Sequence, residues 1–268
     1  MASATQRLAP ALSAWQQWNL PLQNRPELGS VLAEGSGHVI YALHCDPPLV
    51  IRLRHRRTSH LADAFLGEVT IWSQAASAGI APAIAHIDSA HEVIVCERVK
   101  SAAPCAVSGE TLGLLAARIH ALPAVDRVLT LRSDLHDYLE ATPPAERAAW
   151  RDILASPEIG HALTLLEHDT PYLCHNDLTS DNLMCRDDVL MAIDWEYAAM
   201  GSRYFDAAIA QEQLPVQEHS ALFQSIFPEG HDPVLRSAGR LIARLITALW
   251  QHRHAPALAP APATWWME

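Results

Sequence analysis

The sequence is short of positive charge: 19 lysines and arginines stand against 30 aspartates and glutamates, a formal net charge of -11. That balance disfavours nucleic acid or an anionic membrane surface as a partner, since both are held through neutralised phosphates. It leans toward a cationic ligand, although most surface charge serves solubility. Zinc-type spacing is also missing, because the fifteen histidines and five cysteines form no His-x-x-x-His or Cys-x-x-Cys group. An odd cysteine count without framework spacing suggests reduced thiols in a cytoplasm. Met1 to Pro10 has no charged region followed by an apolar run, as a signal peptide would. No apolar segment reaches membrane-spanning length, no repeat is visible, and no linker is long enough to separate independent domains. With 268 residues, half of them hydrophobic, the chain can bury one substantial core or two modest lobes.

The chemistry concentrates between Tyr172 and Asp206. Two apolar runs of strand-like composition, Tyr172 to Cys174 and Val189 to Ile193, each deliver polar residues where the run ends. The first is followed by His175, Asp177 and Asn182, the second by Asp194. Phosphoryl transfer from a magnesium nucleotide needs an Asp to orient and deprotonate the acceptor hydroxyl, with an Asn and a second Asp to hold the metal. Mg²⁺ prefers oxygen ligands, which the Asn182 amide and the Asp194 carboxylate both offer. The spacing His175-x-Asp177-(x4)-Asn182 matches the kinase catalytic-loop signature. An ordinary polar turn between two strands is the alternative for any one of these residues, since Asn and Asp favour turns.

Upstream, Leu12 to Leu20 reads as a helix with Trp15 and Trp18 three apart, a spacing that covers a core. From Gly29 to Leu43 the texture is that of a hairpin with Gly35-Ser36-Gly37 at its tip, where backbone N–H groups can approach phosphate; a plain hairpin turn is the competing reading. The strand Leu49 to Arg54 places Val50, Arg52 and Arg54 on one face, and Arg52 is the first candidate to reach nucleotide phosphates, with Arg54 second. A helix over Ala62 to Ala78 carries Glu68. Strands follow at Ala83 to Ile87 and Val93 to Cys96, then a helix at Gly109 to Leu122 whose His120 reads as a core histidine. Leu131 to Glu167 is helical without assignable roles. A helix starts near Ala207, with Asp206 placed to cap its backbone. Leu241 to Trp250 is an apolar helix. The Ala/Pro-rich end reads as a flexible tail, with Trp265-Trp266 packing back as the default.

Cys174-His175-Asn176-Asp177-Leu178, followed by Ile193-Asp194-Trp195-Glu196-Tyr197, resembles the aminoglycoside phosphotransferase and choline kinase superfamily, in its choline/ethanolamine and thiamine kinase-like branch. The resemblance runs from about Leu28 to Ala210. It implies an α+β, protein-kinase-like two-lobed fold: a small N-terminal antiparallel-sheet lobe with one helix (1–97), a larger mostly helical C-terminal lobe (98–254), and a tail (255–268). It further implies an ATP- and Mg²⁺-dependent kinase that phosphorylates a hydroxyl on a small molecule. Asp177 would be the catalytic base, Asn182 and Asp194 the metal ligands, and Asp206 a structural carboxylate. Gly35, Ser36, Gly37 and Arg52 would face the nucleotide, with Glu68 pairing with the arginine and the Glu97 and Val99 backbone bonding adenine at a hinge. Trp195, Glu196, Tyr197 and Trp250 are candidates to contact a cationic acceptor such as choline, ethanolamine or thiamine; for Trp195 a core role is equally open. An aminoglycoside kinase and a nucleotide-binding regulator without catalysis are the rivals.

Overall fold

The computed structural model describes residues 3–35, 37–55, 64–99 and 107–266. Its N-terminal elements are α1 (Ala4–Ser13), β1 (Glu27–Glu34), β2 (His38–His44), β3 (Leu49–Arg54), α2 (Ala64–Ser77), β4 (Ile84–Asp88) and β5 (Val93–Glu97). The five strands form one antiparallel sheet in the order β1-β2-β3-β5-β4. Ile51, Val93, Ile94 and Val95 are wholly buried. Strands covered on both faces need continuous apolar runs rather than strict alternation, and these have them. Each such side chain contributes roughly 1.5 to 3 kcal/mol of burial free energy.

One sheet face carries Val39, Leu43, Ile51, Leu53 and Val95, and α1 packs Leu8 and Ala11 into this cluster. The helix starts on a Ser3–Gln6 capping box and ends at Ser13. A helix to Leu20 was expected; tertiary contacts override it. Trp18 Nε1 donates to Ala11 O at 3.2 Å and Asn19 N to Ala85 O at 2.8 Å, so the chain folds back through a short 3-10 turn at Trp15–Gln17. Arg52 alternates with Ile51 and Leu53 and therefore faces the other way, where Glu68 of α2 meets it. Residues 62 and 63, part of the expected helix, lie outside the described residues, as do Ser36 and Lys100.

The chain continues through α3 (Gly109–His120), α4 (Leu131–Leu139), α5 (Pro144–Leu154), α6 (Pro157–Glu167) and β6 (Tyr172–Cys174). A small hairpin, β7 (Leu183–Arg186) and β8 (Val189–Ala192), precedes β9 (Ala199–Gly201), which pairs with β6. The last helices are α7 (Arg203–Gln211), α8 (His219–Ile226) and α9 (Pro233–His254). Helix α3 approaches α8 so closely that a Cβ on Gly113 would sit 2.7 Å from Leu222 O. Helix α9 is longer than the expected Leu241 to Trp250. It begins on an Asp232 cap with Pro233 in its first turn, and ends in His252, Arg253 and His254, basic groups that suit a helix C-terminus. Past Ala255 the chain makes turns, and Trp265 is buried with its ring 6.3 Å from that of Trp150.

The chain divides into two compact units, Met1–Cys105 with Met184–Glu196, and Ala106–Leu183 with Tyr197–Glu268. The β7–β8 hairpin and the Asp194–Glu196 turn therefore group with the N-terminal sheet. Antiparallel sheet and helical unit together make the fold α+β, as expected. Cys45, Cys96 and Cys174 are free, but Cys185 is disulfide-bonded, which corrects the expectation of uniformly reduced thiols. Among the described residues no helix is long and apolar enough to cross a membrane.

Candidate active site

In the first unit the organising group is the Arg52 guanidinium, 4% exposed on β3. Nη1 is ion-paired with Glu68 on α2, while Nη2 donates to Asp194 Oδ1 at 2.9 Å and meets His38 Nδ1 at 3.0 Å. The Trp72 ring lies 5.8 Å from the guanidinium carbon, close enough for a cation–π contribution. Burial opposes the charge, and Glu68 and Asp194 outweigh it, so the pKa rises above that of an ordinary arginine. Arg54 turns instead to Glu92 at 3.8 Å.

Asp194 leaves β8 through Ile193 and adopts φ 63°, a left-handed conformation that Asp tolerates better than most residues. The following 3-10 turn, Trp195–Tyr197, brings Glu196 against the glycine turn: a Cβ at Gly37 would lie 2.6 Å from Glu196 Oε2. Burial, then the Asp194 charge, push the Glu196 carboxyl up to about 7. The potential ligand atoms of His38, Asp194 and Glu196 all lie within 4.8 Å of one another. Two half-buried carboxylates that repel each other are a hard-oxygen donor set that a divalent cation would relieve, so the residues present fit Mg²⁺. Burial, then Arg52, depress the His38 pKa to about 3, and its imidazole is neutral at physiological pH.

The remaining first-unit candidates have surroundings of their own. Gly35 N donates to His38 O at 3.0 Å and has open space at its Cβ position. Glu97 Oε2 accepts from Arg186 Nη1 at 2.8 Å, and Val99 is buried. Trp195 has no exposed surface, so no face of it is offered to an acceptor; the core reading applies.

In the second unit the loop after β6 is held from below by Asp206, which is fully buried. Its Oδ1 accepts from Asn176 N at 2.6 Å, and its Oδ2 is 2.8 Å from His120 Nε2. Burial alone would raise this carboxyl; the hydrogen bond and charge of His120, with His175 and the Asn176 N–H, outweigh it and hold it below the usual range. Asp206 therefore does not cap α7, as expected from its place in sequence. Ser202 does so, its hydroxyl accepting from Tyr204 N, because the Asp206 oxygens are committed to the loop and to α3. His120 is buried as expected, but as the partner of Asp206 rather than as an apolar filler.

Asn176, pinned by Asp206, has φ 64° and donates from Nδ2 to Tyr197 O at 3.0 Å. The left-handed turn sets the start of the segment that carries Asp177. Asn182 Nδ2 donates to Asp177 Oδ2 at 2.6 Å and to Asp177 O at 3.0 Å. That commits the nitrogen of the amide and leaves Oδ1 as its ligand-capable atom. Trp250 on α9 is half-buried and stacks on His254 at 4.7 Å, with Tyr138 of α4 edge-on to the same imidazole at 6.4 Å. Sequence reasoning passed over His38 and the His120–Asp206 pair. Strand alternation places His38 on the same face as Arg52 and could have flagged the first; the second spans 86 residues and leaves no local signal.

A model of the phosphotransferase enzyme family matches residues 30–240. The protein LicA of Haemophilus influenzae (strain ATCC 51907 / DSM 11121 / KW20 / Rd) is 40% identical over 50 residues, 19% of this chain and 19% of that protein. The match thus spans about a fifth of its length. The crystal structure of choline kinase LicA from Streptococcus pneumoniae superposes with a TM-score of 0.67 at 16% identity, covering 87% of this chain and 88% of that one. That of macrolide 2'-phosphotransferase MphH from Brachybacterium faecium gives 0.59 at 20% identity, over 96% and 97%. These likenesses show a shared fold.

Proposed function

The chain belongs to the phosphotransferase enzyme family, and from that premise we propose that it transfers the γ-phosphoryl group of ATP to a hydroxyl of a small cationic acceptor of the choline, ethanolamine or thiamine type. The observation that carries the reading is the Asp177 carboxylate held by the Asn182 amide on a loop anchored by buried Asp206. A carboxylate fixed in this way can orient a hydroxyl and take its proton. The acceptor oxygen forms a bond to the γ-phosphorus, the bond from that phosphorus to the β,γ-bridging oxygen breaks, and ADP leaves with the electron pair. Arg52, braced by Glu68, is assigned to the nucleotide phosphates, and Gly35 and Gly37 to close backbone approach. Ser36, also assigned there, lies outside the described residues. The backbone of Glu97 and Val99 is assigned to adenine. Asn182 and Asp194 would hold Mg²⁺, and Glu196 lies beside Asp194. When bound, the ion neutralises charge on the phosphates.

Tyr197, Glu196 and Trp250 are assigned to the acceptor, where an ammonium would meet aromatic faces and a carboxylate. The name of the Streptococcus structure and the negative charge of the chain both favour a cationic alcohol. The macrolide phosphotransferase likeness keeps an antibiotic acceptor as the second reading. ADP release with Mg-ATP across choline, ethanolamine, thiamine, amino sugars, aminoglycosides and a macrolide, with Asp177→Asn as the blank, tests the proposal. A compound-dependent signal that the blank lacks is expected for one of the first three. A signal only with antibiotics moves the protein to the second reading, and no signal with any compound removes the kinase reading.

A further inference from the structure

Arg52 has a difficult task if it is to work beside a metal-binding aspartate. Its Nη2 donates to Asp194 Oδ1, the same carboxylate that the proposed function gives to a cation. Should Asp194 turn toward that cation, the guanidinium of a residue only 4% exposed would lose an acceptor, and an unsatisfied buried donor is expensive. Nη2 carries two hydrogens, and the second has its own acceptor at 3.0 Å, His38 Nδ1. An arginine can only donate, so Nδ1 must bear the lone pair, and the ring is then neutral with its proton on Nε2. Strand pairing explains why the side chain is there. In the β2–β3 register Ile40 lies opposite Arg52 and His38 opposite Arg54, which puts His38 on the same face as Arg52 and diagonal to it, within reach of a long side chain.

We propose that His38 is a positioning residue for Arg52: as the neutral Nε2–H tautomer it accepts from Nη2 and keeps the guanidinium in place whether or not Asp194 remains bonded to it. The same contact ties the strand that follows the glycine turn to the phosphate-directed arginine. The His38 side chain is only 13% exposed. The imidazole is not offered as a metal ligand, since Nδ1 is occupied by the arginine and Mg²⁺ takes oxygen. The inference rests on the proposed roles of Arg52 and Asp194, and its test separates the two.

The first readout needs no substrate. Long-range ¹⁵N–¹H correlation of histidine-labelled protein, without nucleotide or metal and with His38 identified from a variant, should show unprotonated Nδ1 and protonated Nε2 at pH 7. An imidazolium or the Nδ1–H tautomer would overturn the proposal, whatever the enzyme proves to do. The second readout is kinetic and uses whichever acceptor shows turnover. His38→Leu removes the acceptor and should raise KM for Mg-ATP about ten- to a hundredfold, with a smaller change in kcat, as expected for loss of a hydrogen bond to a charged group. His38→Asn places an amide oxygen near the position of Nδ1 and should recover most of that loss. An unchanged KM in the Leu variant, or an Asn variant no better than Leu, would refute a positioning role. Absence of turnover with every acceptor would fall on the proposed function and leave the tautomer result standing.

Discussion

Replacing Asp206 with asparagine changes one atom, and its consequences can be worked through from the geometry. The carboxylate accepts from Asn176 N at 2.6 Å with one oxygen and meets His120 Nε2 at 2.8 Å with the other, and it has no access to water. An amide keeps one acceptor and turns an NH₂ toward one of the two donors. One charge-assisted hydrogen bond, worth about 1.5 to 3 kcal/mol, is lost and a donor–donor contact replaces it. The expected destabilisation is about 3 kcal/mol, or roughly 6 to 12 °C in Tm for a chain of this size. The pH dependence has a definite sign. The folded pKa of Asp206 lies below the unfolded value, so its contribution is fully present above about pH 4 and is lost as pH falls through the folded pKa. Urea titrations of wild type and Asp206→Asn from pH 7 down to pH 3 should therefore show a gap that narrows on acidification. Activity should fall as well, about tenfold or more, because the left-handed Asn176 that sets the position of Asp177 is released. A variant within about 0.5 kcal/mol of wild type at pH 7, with a parallel acid limb, would refute the claim that Asp206 anchors the loop.

Three further substitutions probe other parts of the account. Gly37→Ala would place a methyl 2.6 Å from Glu196 Oε2; the Glu196 carboxylate must move away from the glycine turn, and KM for the nucleotide should rise several-fold while the melting temperature moves by only a few degrees, about 1 kcal/mol. Arg52→Lys keeps the charge but loses the fork that serves Glu68, Asp194 and His38 together. It should weaken nucleotide binding about tenfold by calorimetry and cost about 1 to 3 kcal/mol in denaturant. Trp265→Ala removes a buried ring packed on Trp150; a loss of about 2 to 4 kcal/mol with kcat within twofold of wild type is expected, and a large fall in kcat would give the C-terminal segment a catalytic part.

What could be read from the sequence was local. Tyr172–Cys174 is a strand where its apolar run says so; alternation along Leu49–Arg54 put Arg52 and Arg54 on one face, and the place of Arg52 directly after the β-branched Val50 and Ile51 ranked it first: it is buried between Glu68 and Asp194, while Arg54 reaches Glu92. The boundaries of α9 were also legible in principle, since Asp232-Pro233 is a capping pair that the apolar window alone overlooked. What escaped depended on distant partners. The first helix stops at Ser13 because Trp18 and Asn19 find acceptors in Ala11 and Ala85, which helical periodicity cannot register. Asp206 looked like a cap because the residue types suited one, yet its partners sit in α3 and after β6. Trp195 stood in a row of candidate wall residues with a core role equally open, and its complete burial favours the core role.

The measurement that bears most directly on the central claim is ADP release by wild type and Asp177→Asn with Mg-ATP and the acceptor panel, together with ATP binding by both. The account predicts turnover with a small cationic alcohol that falls by at least about a thousandfold in the variant, while ATP affinity stays within about threefold. Turnover retained in Asp177→Asn would contradict the role given to Asp177 and to the loop that presents it.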